Sequence, residues 1–212
     1  MYEFIILAQL MHGPAHGYLI AKIINDIIGP YARISPGRLY PLLAKLEQNG
    51  LIAPAPGAQG EQQGDRPMRI YKITDVGRMR FHTLMKDTVS NPGEYQRLFS
   101  YKVTAFAYIT PAERLRLIDH YINYCQAHIF HLQGEADALV DEAAYVARLD
   151  YNYQRVDTYT LETILNMMKH SIDQWQHELE WARSLREREV ALAQKAAAGA
   201  ESPETPIEPA ER

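Results

Sequence analysis

Between Ile34 and Ile52 the sequence ISPGRLYPLLAKLEQNGLI spaces Leu39, Leu42, Leu43 and Leu46 three or four residues apart, the pattern of one buried face on a short helix. Ser35 suits an N-cap, and Pro36 suits the first helical position, where its missing N–H would have no partner anyway. Asn49-Gly50 supplies a left-handed stop, and Leu51-Ile52 begin the next element. The opposite face carries Arg38, Tyr40 and Lys45, with Ser35 and Gly37 at its tip. A small helix end bearing a hydroxyl, an Arg and a Tyr suits insertion into a DNA major groove. The same pattern also describes an ordinary amphipathic surface helix, so the neighbouring segments decide.

Upstream, YEFIILAQLM (2–11) is apolar enough for a buried helix and stops at His12-Gly13-Pro14. A second helix over about 15–28 turns Ile20, Ile23, Ile24, Ile27 and Ile28 inward, and Gly29-Pro30 ends it. Downstream, 51–53 starts a strand. A loop rich in Pro, Gly, Ala and Gln runs from 54 to 67, and Arg69 to Ile73 alternates as a second strand does. Thr74-Asp75 then caps a further helix. Three helices, two short strands joined by a long polar loop, and another helix predict a winged helix-turn-helix over 1–89, the loop being its wing.

The second half is patterned in heptads. Leu115, Ile118, Ile122, Cys125, Ile129, Leu132, Ala136 and Leu139 alternate steps of three and four, as do Leu161, Leu165, Met168, Ile172, Trp175, Leu179 and Ala182. Sustained 3.5-residue spacing is the seam of a helix packed along a partner helix. The second seam fails at Arg186 and Glu189, although the helix itself is expected to run to about 198. Thr110-Pro111-Ala112-Glu113 is a strong helix start. An earlier helix over about 94–108 carries Leu98, Tyr101, Val103, Ala105 and Phe106, and Ser90-Asn91-Pro92-Gly93 before it reads as the domain boundary. The predicted architecture is therefore mainly α with a two-stranded wing. It comprises a DNA-binding domain (1–89), a helical bundle shared between two subunits and available to an effector (94–198), and a disordered acidic tail (199–212).

Three segments, ILAQLMHGPAHGYLI (6–20), the 34–52 run and RPMRIYKITDVGR (66–78), resemble the PadR family of bacterial transcription regulators in order and spacing. The resemblance is specific over about the first 85 residues and architectural beyond. It implies a dimeric DNA-binding protein, usually a repressor. Carried over by position, the recognition helix holds Ser35, Pro36, Gly37, Arg38 and Tyr40; Tyr18 matches a second-helix phosphate contact, and Arg66, Arg69 and Tyr71 fall in the wing and its return strand. Many relatives have a small Ser or Thr where this chain has Arg38. Arg there either pairs with guanine O6 and N7 or lies along a phosphate, so the operator sequence does not transfer from relatives.

Charge distribution agrees. The chain carries a net −4, yet residues 1–82 hold nine Lys/Arg against six Asp/Glu. Residues 83–198 hold twelve against sixteen, and 199–212 one against four. The basic excess lies in the part assigned to DNA, whose binding should weaken with salt. One cysteine, Cys125, leaves no internal disulfide, and no apolar run approaches a membrane span, so a cytoplasmic protein is expected. No phosphate-binding glycine loop or nucleophile elbow occurs, so no enzyme and no cofactor are expected. His128, His131 and Glu135, with His120 two turns earlier, and His170, Asp173 and His177 have ligand-like spacing, but a solvated polar face opposite an apolar seam accounts for them and no metal is assigned.

Fourteen Tyr are present; Tyr145, Tyr151, Tyr153 and Tyr159 cluster where the two long helices connect, with Trp175 and Trp181 following. Tyr and Trp can form a stacking pocket, and Tyr151, Tyr153, Tyr159 and Trp175 are its candidates, although aromatic residues at helical spacing also build cores. The resemblance implies phenolic acids or planar, drug-like effectors. Dimerisation is assigned to Leu161, Leu165, Met168, Ile172, Trp175 and Leu179. The rival reading is a winged helix that grips a partner protein while the heptads drive assembly. A metal sensor through the histidines is a weaker third.

Overall fold

The computed structural model describes residues 1–28, 33–55, 69–90, 92–148 and 157–200, with the side chains of 28, 142–148 and 197–200 excepted. Contacts divide the chain into two compact units at Ile109 and Thr110. In the first unit α1 (Tyr2–His12) is the central helix, burying Phe4, Ile5, Ile6, Leu7 and Leu10. α2 (Gly17–Ile28) and α4 (Asp75–Lys86) pack on it, and α3 (Pro36–Gln48) packs on α2. Ile20 and Ile24 on α2, and Leu39, Leu43 and Leu46 on α3, are buried as expected, while Ile23, Ile27 and Leu42 are only half-buried. Phe4 stacks on Phe81 of α4 at 5.7 Å, and Tyr108 meets the Phe81 ring edge-on at 5.9 Å.

Two strands were expected, and three are present among the described residues. β1 (Ala15–His16), β2 (Ile52–Pro54) and β3 (Ile70–Ile73) form an antiparallel sheet in the order β1-β3-β2. Ala15 lies opposite Tyr71, and Ile52 opposite Ile73. The extra strand takes the first residues expected for α2, so that helix starts at Gly17. Residues 56–67 of the expected wing, Gly29-Pro30, and residues 201–212 of the expected tail lie outside the described residues.

α5 (Tyr95–Thr104) falls in the first unit, so the division between units comes later than the expected boundary at 90–93. Its inward face is Tyr95, Phe99 and Lys102, whereas Leu98, Tyr101 and Val103 are only half-buried. Lys102 is fully buried, and its ammonium donates to the Asp87 carbonyl at the C-cap of α4, where a cation suits the helix dipole. Burial pushes its pKa down to about 8. Between that value and about 10.5, the unfolded chain holds a proton that the folded unit has released, so stability rises with pH. Below pH 8 the cost of the buried charge is present in full. Relative to Lys102→Met, the wild-type should gain about 2 kcal/mol between pH 7.5 and 9.5 in urea unfolding. Equal pH dependence in the two proteins would show that folding does not lower the pKa of Lys102.

The second unit is a pair of long helices, α6 (Pro111–Arg148) and α7 (Thr158–Ala200). Thr110 and Glu113 form the expected reciprocal cap: Thr110 N–H donates to Glu113 Oε2 at 3.0 Å, and Glu113 N–H to Thr110 Oγ1 at 3.3 Å. Asp157 caps α7, accepting from Thr160 N–H at 2.9 Å. The helices run antiparallel, as the successive pairs Arg114–Glu189, Tyr121–Glu178 and His128–Trp175 require. Among the described residues, packing is tight around Leu117, Ile118, Tyr121 and Cys125 against Leu179, Ala182, Leu185 and Glu189. The seam does not stop at Glu189 as the heptads suggested; Leu185 and Glu189 continue it, and Arg114 neutralises the buried carboxylate. Elsewhere Ile129, Leu132, Leu161, Leu165, Met168, Ile172 and Trp175 are only half-buried within one chain.

Candidate nucleic-acid interface

Helix α3 is anchored at one side and at both ends. Its buried leucines face the core, and ahead of it Ile34 N–H donates to the Asn25 side chain of α2 at 2.6 Å. At its C-terminus Gly50 has φ 70°, Gly50 N–H donates to Glu47 O and Leu51 N–H to Leu46 O, both at 2.9 Å. That 5→2 and 6→1 pair is the Schellman stop, and only glycine adopts its left-handed residue at no steric cost. Thr74, at the N-terminus of α4, then fastens this turn by donating to Gly50 O at 2.6 Å.

The other side is bare. Ser35, Pro36, Gly37, Arg38, Tyr40 and Lys45 are all exposed. Ser35 sits at the N-cap with extended backbone, yet its hydroxyl makes no capping bond; only its carbonyl accepts, from Arg38 and Leu39 N–H at 3.0 Å. The expected side-chain cap is therefore absent, and the hydroxyl is not committed to its own helix. A Cβ at Gly37 would meet nothing nearer than Ser35 Oγ at 3.9 Å, so folding does not require glycine there. Glycine inside a helix costs about 1 kcal/mol relative to alanine, and a close-fitting partner surface is a reason to keep it. Pro41 lies inside the helix and has no N–H to offer the Gly37 carbonyl.

Tyr40 leans on α2: a Cβ at Gly17 would lie 3.1 Å from its Cε1 and 3.3 Å from its hydroxyl. The next residue, Tyr18, is 70% exposed, so two tyrosines flank the point where the starts of α2 and α3 meet. His16, which the sequence did not single out, accepts from Leu19 N–H at 3.0 Å and braces that start. Of the wing residues, Arg66 lies outside the described residues. Arg69 is exposed, with Nη2 2.7 Å from Glu47 Oε1 and its guanidinium carbon 5.6 Å from the Tyr71 ring centroid. Tyr71 is buried at 4% exposure, and burial raises its pKa; it supports Arg69 from beneath and offers no face of its own to a ligand.

Residues 6–83 match the sequence model of the Transcriptional regulator PadR-like family. They form a PadR-like domain. That family is one of transcriptional regulators and not of enzymes. The chain is 24% identical over 162 residues to the negative transcriptional regulator PadR of Bacillus subtilis, covering 76% of this chain and 87% of that protein. It is 36% identical over 76 residues to an uncharacterised 37.1 kDa protein of transposon TN4556 from Streptomyces fradiae, a match that covers 36% of this chain but only 19% of that protein. The crystal structure of Bacillus subtilis PadR in complex with operator DNA is similar at 19% identity and a TM-score of 0.37, covering 88% of this chain and 96% of that one.

The candidate effector cluster is not assembled among the described residues. Tyr151 and Tyr153 lie outside them, as does the side chain of Tyr145. Tyr159 is 79% exposed, sixteen residues from Trp175 on the same helix, or roughly 24 Å at 1.5 Å per residue. Trp175 is already stacked, on the His128 ring at 4.3 Å with Tyr124 edge-on at 5.6 Å. Desolvation lowers the pKa of His128, favouring the neutral ring against the indole. A cleft of about 80 Å³ lies instead in the first unit, lined by Phe4, Ala8, His12, Ile23, Ile27 and Tyr101 among others. No group of three or more potential metal ligands occurs among the described residues, and no helix there is long and apolar enough to cross a membrane.

Proposed function

We propose that the protein is a sequence-specific, homodimeric DNA-binding repressor. The observation that carries this reading is the exposed edge of α3. Ser35, Gly37, Arg38, Tyr40 and Lys45 stand in solvent on a helix whose other face and C-terminus are fastened down. Rigid placement of a few polar groups is what base-edge recognition requires. Ser35, Gly37 and Arg38 approach the base edges, while Tyr18, Tyr40 and Arg69 take phosphates. The half-buried seams of α6 and α7, with Phe130 79% and Met167 60% exposed, support a second copy as their cover. A dimer presents two recognition helices to a two-fold operator. Repression is supported by the name of the Bacillus subtilis relative.

Release by a small aromatic ligand completes the reading. The cleft in the first unit is smaller than the ~150 Å³ that accommodates a benzene. A phenol-sized ring would enter only if Tyr101 left the Ile27 carbonyl, to which its hydroxyl donates at 3.3 Å. The ligand shifts the equilibrium only by its differential affinity for the open and closed forms.

The test of the recognition edge is selection of preferred duplexes from random DNA, followed by Arg38→Ala. The variant should lose about 1–3 kcal/mol of affinity and relax preference at one or two base pairs. If neither quantity changed, α3 would not be the reading helix.

A further inference from the structure

The guanidinium at the foot of the wing is already engaged. Arg69 Nη2 donates to Glu47 Oε1 at 2.7 Å, and Tyr71 lies beneath it. Glu47 belongs to the last turn of α3, so the pair joins the recognition helix to the return strand. Exposure is uneven: the Glu47 side chain is 26% exposed and that of Arg69 56%. The carboxylate is thus the more fixed partner and the guanidinium the more accessible one. A carboxylate and a phosphodiester are both anionic oxygen acceptors for the same planar fork, so they compete for it.

We propose that Glu47 is a selectivity residue, an internal substitute for DNA phosphate that withholds Arg69 from duplexes of arbitrary sequence. The proposal rests on the DNA-binding reading above. Sequence-independent binding comes from Lys and Arg that displace counterions from phosphates. The first 82 residues hold only nine such cations against six acids, so occupying one of them removes a sizeable share of that attraction. On a preferred sequence the base-edge contacts of α3, which Glu47 does not touch, hold the duplex in one register, where a fixed phosphate displaces Glu47 from Arg69. The ratio between preferred and arbitrary DNA therefore widens. An ion pair this exposed contributes little to folding, so Glu47→Gln should melt with the wild-type.

The experiment measures binding of the full chain to a random-sequence duplex across 50–200 mM salt, for wild-type, Glu47→Gln, Arg69→Gln and the double variant. Glu47→Gln should bind more tightly, with a log–log salt slope steeper by about 0.9. Its advantage over wild-type then shrinks about 3.5-fold across that range. In the Arg69→Gln background the Glu47 substitution should leave the slope unchanged. An unchanged slope for Glu47→Gln alone would overturn the proposal. So would an equal gain in the Arg69→Gln background, which would make Glu47 merely a nearby negative charge. Failure of every variant to bind either random or selected duplexes would overturn the DNA-binding reading itself, and this proposal with it.

Discussion

Alanine at position 77 should destabilise the first unit by about 3 kcal/mol, seen as a lower urea midpoint. Helix propensity alone predicts the opposite. Gly77 lies within α4, where alanine is ordinarily about 1 kcal/mol better than glycine. The surroundings reverse that sign. A Cβ on Gly77 would stand 2.0 Å from the Leu51 carbonyl oxygen, 3.0 Å from its carbonyl carbon and 2.8 Å from Ile73 Cγ1. Backbone of that kind does not swing aside as a long side chain does. Accommodation requires α4 to back away from the 50–51 turn, breaking the bond from Thr74 Oγ1 to Gly50 O and that from Thr74 N–H to Leu51 O. That turn is the C-terminal anchor of α3, so residual folded protein should also bind DNA less well. A Gly77→Ala protein as stable as the wild-type would mean that α4 does not dock on this turn.

Removing Arg114 should cost the helix pair of the second unit about 3 kcal/mol. Glu189 is 5% exposed in the seam, and Arg114 Nη1 lies 3.2 Å from its Oε2; Arg188, at 3.5 Å from Oε1, is largely exposed. Arg114→Ala leaves a buried carboxylate with only that weaker partner, and such a group loses hydration without recovering an equal attraction. The double variant Arg114→Leu/Glu189→Leu should regain most of the loss, because apolar residues of similar volume often replace a buried pair at no cost. Thermal unfolding of the two variants and the wild-type checks the order. If Arg114→Ala melted with the wild-type, the continuation of the seam through Glu189 would be wrong.

Much of the first unit was legible in the sequence because its signals are local. Leucine spacing gave the buried side of α3, Asn49-Gly50 its stop, and Thr74 the cap of α4, which accepts from Gly77 N–H at 3.0 Å. The misses are non-local. β1 is two residues long, too short for any periodicity, and exists only because β3 pairs with it. Lys102 reads as a surface residue until Asp87 and Tyr95 are placed around it, which is also why α5 was assigned past the boundary. Glu189 looked like the end of a seam because a heptad pattern registers apolar side chains and not paired charges. On the recognition edge, the residue types were readable but their availability was not. Tyr71 alternates correctly for a strand, yet the face it occupies is the buried one. Glu47 was invisible as Arg69's partner because 22 residues separate them.

Whether α3 reads DNA sequence is decided most directly by fluorescence polarisation with the purified protein. The duplexes are the promoter of its own gene and sites recovered from random DNA, with a scrambled competitor at two salt concentrations. Binding should be nanomolar, survive the competitor and weaken by orders of magnitude at the higher salt. Binding no tighter to any of these duplexes than to the scrambled one would contradict sequence reading by α3, and would leave the winged helix as a surface for a protein partner.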